Sequence, residues 1–410
     1  MRIPTFGMYQ RESGQISQVY DSLGKLIQQA DSGKKLIHSS DDPVLAHQIK
    51  SKEDYVNTLQ SYFDNGVLAG SHATLFTTSA QSAVNVTSQI QTLLKSAQSG
   101  TKNDSDRASI AEQLKGYLSN MASIANTQDG SGEFIYAGNN SDAPAYILVN
   151  GVYQYQGGSS QTQVNIAPEI STLYTDVGSE VFGNIYDGNG TFTVTAGSGN
   201  TGGASTTPGA VINSASYVAD TYTITFGTNG GSLVYQVVGA TSGQVIPALP
   251  ATFPAGAPTY TGSSDVNFNG ISLHINGTPS VGDTFQIQPS TRQDVFGSLQ
   301  NLITLLQTPN TNPAKLDQAL IQADASFGQI SNHLVTYMSQ AGTASSAVKA
   351  QVDANRDIIH NQTITINDLA NADIGQVYSA LSQQSLALQA TIGGYMKMQD
   401  TLNKLLQMQF

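Results

Sequence analysis

The sequence predicts a mainly α-helical protein with an antiparallel β-rich insertion, in which segments from both ends of the chain form a long helical rod or coiled coil. Near both termini, apolar residues recur at alternating three- and four-residue steps, as they do in coiled-coil helices. Residues 130–290, by contrast, hold 25 of the 39 glycines and 9 of the 13 prolines. That density excludes helix over most of the middle of the chain.

Residues 1–40 are predicted to form an N-terminal coiled-coil segment. Positions spaced by seven residues include Ile16 and Leu23, and the interleaved positions include Tyr20 and Ile27. An apolar stripe with this spacing needs a facing helix to cover it. We therefore assign these four residues to a predicted assembly interface.

Residues 41–130 are predicted to form the first half of the helical rod. Asp42 and Pro43 carry a helix-start signal, because proline is tolerated at the first helical position and an aspartate before it accepts free backbone N–H groups. Residues 44–97 contain no proline and two glycines, which predicts one helix of about 80 Å. The adjacent acids Asp41 and Asp42 could instead be an acid–base pair or metal ligands, but helix capping is the interpretation we adopt.

Residues 131–290 are predicted to form an outer antiparallel β insertion of one or two subdomains. Short alternating runs, such as residues 222–226 and 233–237, are separated by turn dipeptides that include Asn229-Gly230 and Asn269-Gly270. This pattern is typical of hairpins. The chain is therefore expected to leave the rod, build the insertion and return.

Residues 291–371 are predicted to form the second half of the rod, and residues 372–410 a C-terminal coiled-coil segment. The apolar pattern of the last segment continues over about 32 residues, or roughly 48 Å of helix. Its members complete the predicted assembly interface: Ile374, Val377, Leu381, Leu388, Tyr395, Met398, Leu402 and Leu405.

The distribution of charge argues against polyanionic partners. The net charge is −12, and no Lys or Arg lies between Lys115 and Arg292, where there are ten acidic residues. A segment without cations cannot neutralise phosphates, and the flanking regions hold no basic cluster. We therefore expect neither nucleic-acid binding nor attraction to anionic membranes.

The chain contains no cysteine, which excludes disulfides, thiolate metal ligands and thiol nucleophiles. Its first residues lack the apolar run of a secretory signal, and it holds no stretch of 18 apolar residues. Membrane insertion is not expected. If the protein is exported, we expect a route that needs no cleaved signal.

Other candidate sites have simpler explanations. Gly197, Gly199 and Gly202 match the spacing of a dinucleotide fingerprint, but the following residues, 203–209, include Pro208 and cannot form the helix that this fingerprint must open. The six histidines show no pair at metal-ligand spacing with a matching carboxylate. We therefore predict no catalytic, cofactor-binding or metal-binding residues, and a protein that is not an enzyme.

The sequence resembles the flagellin superfamily and, within it, the hook-filament junction family, the hook-associated protein 3 group. The resemblance rests on Ser39-Ser40-Asp41-Asp42-Pro43, on Gly132-Glu133-Phe134-Ile135-Tyr136-Ala137-Gly138 and on Asn371-Ala372-Asp373-Ile374. It covers roughly the first 185 and the last 120 residues. Pro43 and residues 134–138 favour the junction family over flagellin proper.

This resemblance implies a structural subunit of the bacterial flagellum that joins the hook to the filament. It also implies secretion through the flagellar type III channel and an extracellular location. The implied partners are further copies of the chain in a ring, the hook-proximal junction protein (hook-associated protein 1), flagellin, and a flagellar export chaperone on the C-terminal segment. Two alternatives stay open: a flagellin-type filament subunit, and a surface adhesin or glycan-active protein carried on the β insertion.

Overall fold

The computed structural model describes residues 5–98, 103–309 and 312–407. The chain divides into two compact units. The terminal unit combines residues 1–64 with 351–410, and the central unit consists of residues 65–350. The finer division predicted above, with boundaries near residues 40, 130, 290 and 371, stays a prediction.

Long helices occupy both ends of the chain, and strands occupy its middle, which confirms the predicted fold class. The helices in the described residues are α1 (Thr5–Ser32), α2 (Pro43–Ala97), α3 (Asp104–Ala125), α4 (Gly178–Val181), α5 (Val295–Gln307), α6 (Pro313–Ala370) and α7 (Ile374–Gln407). Helix α2 follows the predicted uninterrupted helix closely. Its length reflects the scarcity of glycine and the lack of proline after Pro43.

A helical core forms in the central unit from α2, α3, α5 and α6. The three- and four-residue apolar steps of α6 supply one wall of this core, since Leu320, Phe327, Ile330 and Leu334 are buried in it. Helix α3 packs on α5 and contributes Ile110, Leu114 and Met121. On each of these helices the buried residues form a narrow apolar stripe, as expected for helices that pack lengthwise.

The first part of the β-rich region belongs to this helical core. Its strands are β1 (Tyr146–Val149), β2 (Val152–Tyr155), β3 (Gln163–Ala167), β4 (Ile170–Leu173) and β5 (Ile185–Tyr186). Strands β1 and β2 pair with each other, as do β3 and β4. Buried side chains before, within and after these strands, including Tyr136, Tyr146 and Phe182, pack into the same core as the helices.

The second part is a two-sheet β module with its own core. Its strands are β6 (Phe192–Ala196), β7 (Ser205–Thr206), β8 (Ala210–Val211), β9 (Tyr222–Asn229), β10 (Ser232–Gly239), β11 (Gly243–Ile246), β12 (Ser263–Phe268), β13 (Ile271–Asn276) and β14 (Thr284–Pro289). One sheet has the order β11-β10-β9-β14-β6, and the other has the order β12-β13-β7, with β8 also pairing with β13. Alternate residues from both sheets fill the core between them, for example Ile224, Phe285 and Leu273.

One hairpin of the β module closes through the predicted turn residues, whereas the turn between β9 and β10 lies at Gly230-Gly231, one residue after the predicted Asn229-Gly230. Strand β12 pairs with β13 so that Phe268 lies opposite Ile271, which leaves Asn269 and Gly270 as a two-residue turn. Both residues have positive φ, 40° and 76°. Such turns match the right-handed twist of the strands, and asparagine and glycine adopt them at low cost.

The chain leaves the helical core for the β module and re-enters the core at nearly the same place. Strand β15 (Arg292–Gln293) pairs with β5, and Ser290 N donates a hydrogen bond to the carbonyl oxygen of Thr191 at 2.9 Å. The entry and exit of the β module are therefore adjacent.

Candidate assembly interface

Helices α1 and α7 pack together in the terminal unit. The segments next to them are joined by backbone hydrogen bonds, from Lys35 N to Ala370 O at 2.7 Å and from Ala372 N to Gly33 O at 2.9 Å. These bonds tie the end of α1 to the start of α7, so the two helices run antiparallel. Gly33 has φ +65°, a conformation that glycine adopts easily where a helix ends.

The predicted apolar stripe of α7 is partly covered. Val377 is buried, and four further members of the stripe are half-buried: Leu381, Leu388, Tyr395 and Met398. On α1, the predicted interface residue Leu23 is half-buried too. Ile16 is also half-buried. Helix α7 therefore turns the middle of this stripe, from Val377 to Met398, toward a protein surface.

Tyr20, Ile27 and Ile374, which were also assigned to the interface, are exposed. The side chains of Leu402 and Leu405 lie outside the described residues, although the backbone of α7 continues to Gln407. Their assignment to the interface stays a prediction.

Exposed apolar residues that the heptad analysis did not select lie on α7. Tyr378 is 58% exposed and Met396 is 65% exposed, and Leu386 is exposed as well. Tyr378 and Met396 are eighteen residues apart, which is about five helical turns, so they lie on one line along the helix. The heptad analysis did not include these residues because they lie outside the three- and four-residue apolar pattern of α7. The only signal in the sequence that could have identified them is that they are large apolar residues.

Asp42 lies immediately before α2, and its Oδ1 accepts hydrogen bonds from Val44 N at 3.1 Å and Leu45 N at 2.9 Å. Pro43 is the first residue of the helix. The neighbouring Asp41 has another role, because its carboxylate accepts from Lys25 Nζ at 2.9 Å and from His38 N at 3.0 Å. The Lys25 contact, with that backbone bond, lowers the pKa of Asp41. The two acids thus hold separate parts of one helix-start loop.

The motif at residues 132–138 anchors the first β part to the helices. Tyr136 is fully buried, its ring lies 5.2 Å from that of Phe76 on α2 and 5.0 Å from that of Phe182, and its hydroxyl contacts Ser79 Oγ. Burial raises the pKa of Tyr136. Gly138 has φ +59°, and a Cβ there would lie 2.6 Å from Gly158 O. The motif therefore has a packing role.

In the glycine loop at residues 197–202, the N–H groups of Thr201 and Gly202 already have an acceptor within the chain. Asp283, which is buried, accepts hydrogen bonds from Thr201 N at 2.9 Å, Gly202 N at 3.0 Å and Ser280 N at 2.8 Å. A Cβ at Gly202 would lie 2.4 Å from Ser280 N. The carboxylate of the chain itself thus occupies the place of an anion.

One histidine network in the β module has the connectivity of a Ser-His-Asp triad. His274 Nδ1 lies 2.6 Å from Asp265 Oδ1, and His274 Nε2 lies 3.1 Å from Ser263 Oγ. The Asp265 hydrogen bond raises the pKa of His274. The side chains of His274 and Asp265 are 38% and 65% exposed, so solvent screens the network. That exposure is against a catalytic role, since active sites shield their pre-organised dipoles from bulk solvent.

Within the described ranges, no group of three or more His, Cys, Asp or Glu residues is placed to hold a metal ion. No described helix is both long enough and apolar enough to cross a membrane.

Residues 3–141 match the family model of the bacterial flagellin N-terminal helical region. The chain is 29% identical over 192 residues to flagellar hook-associated protein 3 of Salmonella typhimurium, an alignment that covers 45% of this chain and 58% of that protein. The chain thus spans little more than half the length of this curated relative.

Two solved structures resemble the fold over a longer range. Flagellar hook-associated protein-3 from Legionella pneumophila has a TM-score of 0.73 and 29% identity, over 78% of this chain and 98% of that one. The flagellar junction protein FlgL from the same organism has a TM-score of 0.68 and 29% identity, over 74% and 99%.

Proposed function

We propose that this chain, a homologue of hook-associated protein 3 in the flagellin superfamily, is a structural subunit that joins the hook of a bacterial flagellum to its filament. The observation that carries the proposal is the similarity to nearly the whole of the Legionella hook-associated protein-3 structure. The match to the flagellin N-terminal helical region supports the same assignment. The proposed role is mechanical and not catalytic.

The terminal unit offers a physical basis for assembly. Tyr20 on α1 and Tyr378, Leu386 and Met396 on α7 leave apolar surface exposed, and burying such surface is worth about 25 cal/mol per Å². Coverage by helices of neighbouring subunits would gain this free energy. We propose copies of the same chain, hook-associated protein 1 and flagellin as the partners, with secretion to an extracellular position and an export chaperone on the C-terminal segment before assembly.

The decisive experiment is complementation of a bacterium whose own junction-protein gene has been deleted. The variant Tyr378→Asp with Met396→Asp places two carboxylates on one line of α7, where burial would cost several kcal/mol. We expect normal secretion of this variant, hooks without filaments in electron microscopy, and loss of motility.

The matched control is Gln376→Asp with Gln383→Asp, which adds the same two charges at exposed positions of α7 more than a quarter turn away from that line. This control should restore filaments. Filaments with the Tyr378/Met396 variant would overturn the proposed interface, and failure of the unmodified chain to restore filaments would overturn the proposed function. Long filaments grown from purified protein would favour the flagellin alternative.

A further inference from the structure

Helix α6 carries a second stripe, made of polar side chains, that contacts the β module and the chain leading into it. Its members are spaced by three and four residues, as on one face of a helix: Lys315, Gln318, Gln322, Ser326 and Gln329. Each of them forms a hydrogen bond with a backbone atom within residues 188–206. The stripe therefore holds this segment mainly by its main chain.

The residues of this stripe nearest the start of α6 hold the module itself. The N–H of Val194 donates to Gln322 Oε1 at 3.2 Å, and the N–H of Thr206 donates to Gln318 Oε1 at 2.6 Å. Val194 lies in the five-stranded sheet and Thr206 in the other sheet. Together with Lys315, these two glutamines form what we call the polar latch, which thus holds both sheets of the module.

The apolar cores on the two sides of the latch are separate. Among the described residues, the core of the helices and the core of the β module have no residue in common. A cleft of about 570 Å³ lies between the two parts, and its walls include Thr193 and Thr195 of the module and Leu305, Ala319 and Ala323 of the helices. Close-packed protein leaves few voids larger than a water molecule. The module and the helices are therefore not closely packed along this cleft.

The chain enters and leaves the module through a narrow two-stranded ribbon. This ribbon extends the pairing of β5 with β15, since Asp187 N donates to Thr291 O at 3.0 Å and Ser290 N donates to Thr191 O at 2.9 Å. Gly188, with φ +59°, lies in the entering segment. Two-stranded ribbons twist further than wider sheets. The ribbon can therefore act as a pivot for the module.

The hydrogen bonds of the latch are of a kind that water can replace. When such a bond opens to solvent, each N–H and each carbonyl exchanges its protein partner for water, so the net cost is a small part of the energy of the bond. Interfaces between the parts of one chain permit relative motion unless they are large and apolar. Opening the latch removes no side chain from either apolar core.

We propose that the β module undocks from α6 as one body, by a rotation about the ribbon at residues 187–191 and 289–292. The three contacts of the polar latch open together in this motion, and both apolar cores stay intact. The orientation of the module relative to the helical core can then change without unfolding of either part. The proposal concerns the central unit alone and does not rest on the role in the flagellum.

Amide hydrogen exchange of the full chain, measured by nuclear magnetic resonance where exchange reports the equilibrium of opening, tests this proposal. The reference is the N–H of Phe226, which donates to Asp283 O inside the module at 3.1 Å and becomes free only when the module unfolds. We expect the amides of Val194 and Thr206 to exchange with one common opening free energy, below that of Phe226. Because these two amides lie in different sheets, fraying of a single strand cannot produce a common value.

The variant Lys315→Ala tests whether the contacts open together. Lys315 Nζ donates to Ser198 O at 2.6 Å, whereas the amides of Val194 and Thr206 have other acceptors. If all three contacts open in one motion, the loss of this bond should lower the protection of both amides by the same factor, roughly tenfold. The protection of Phe226 should not change.

The matched control is Lys349→Ala, which removes an exposed cation of the same helix about 50 Å further along α6 and should leave all of these amides unchanged. Protection of Val194 and Thr206 equal to that of Phe226 would overturn the proposal, because the module would then leave α6 only by unfolding. Different opening free energies for the two amides, or no effect of Lys315→Ala on them, would also overturn it, because the contacts would then open singly.

Discussion

Gln318 on α6 donates a hydrogen bond from Nε2 to the carbonyl oxygen of Val194 at 3.0 Å. Val194 lies in β6, at one edge of the five-stranded sheet, and its N–H donates to Gln322 Oε1 at 3.2 Å. Open sheet edges are templates for pairing with other chains. Helix α6 therefore closes this edge with side-chain amides and joins the β module to the helical core.

The first prediction concerns this edge. Gln318 is 1% exposed, and its Oε1 also accepts from Thr206 N at 2.6 Å. Each buried backbone group that loses its hydrogen-bond partner costs about 1–3 kcal/mol. Gln318→Ala should therefore lower the free energy of unfolding by about 2–5 kcal/mol. Urea denaturation measures this change. Gln81→Ala, at an exposed glutamine of α2, is the control and should cost less than about 1 kcal/mol. Equal effects of the two substitutions would contradict the proposed closure of the edge.

The second prediction concerns the start of α2. Asp42→Ala should cost about 0.5–2 kcal/mol, because two N–H groups of the first turn lose their acceptor. Asp42→Ser retains a capping oxygen and should recover most of this loss. Thermal unfolding followed by circular dichroism checks both variants, and an Ala variant as stable as the unmodified chain would count against capping.

The third prediction concerns Gly138, whose positive φ and close approach to Gly158 O both disfavour a side chain. Gly138→Ala should destabilise the protein by more than the about 1–3 kcal/mol expected from backbone conformation alone. Gly132→Ala is the matched control, because Gly132 has φ +88° but no atom within 4 Å of its ideal Cβ. If the two variants unfold at the same temperature, steric contact at Gly138 is not important.

The fourth prediction follows from Asp176. Its pKa in the folded protein is about 6, above the ordinary value of 3.8. The folded state therefore binds more protons than the unfolded state between these values, and stability falls as the pH rises through this window. Asp176→Asn should increase the free energy of unfolding by about 3 kcal/mol at pH 7.5 and change it little near pH 3.5. The measurement is denaturation at several pH values, and a difference that does not vary with pH would rule out this linkage.

The fifth prediction separates the two parts of the β-rich region. Deleting residues 191–289 and joining Gly190 to Ser290 should leave the helical core folded, because the two ends are adjacent and the module has its own core. Deleting residues 140–288 should instead destabilise it, since this removes Tyr146 and Phe182 from the helical core at about 3–5 kcal/mol for each aromatic side chain. Helix content and melting temperature distinguish the variants, and equal stability would show that the first β part is dispensable.

The sequence alone was sufficient for features with a local cause. Apolar spacing predicted the long helices, Asn269 and Gly270 predicted a tight turn, and Asp42 with Pro43 predicted the start of α2. Each signal lies within a few residues of the structure that it specifies, because helices and hairpins form from short-range hydrogen bonds and backbone preferences.

Only the tertiary structure decided which distant segments share a core or complete a polar contact. The β-rich region reads as one insertion in the sequence, yet Tyr146 packs with the helices while Phe285 packs within the β module. Gln318 contacts Val194 at a separation of 124 residues, and His72 contacts Asp129 at a separation of 57. No periodicity or spacing in a single sequence identifies such pairs. Their energy depends on burial and geometry that exist only after the chain has folded.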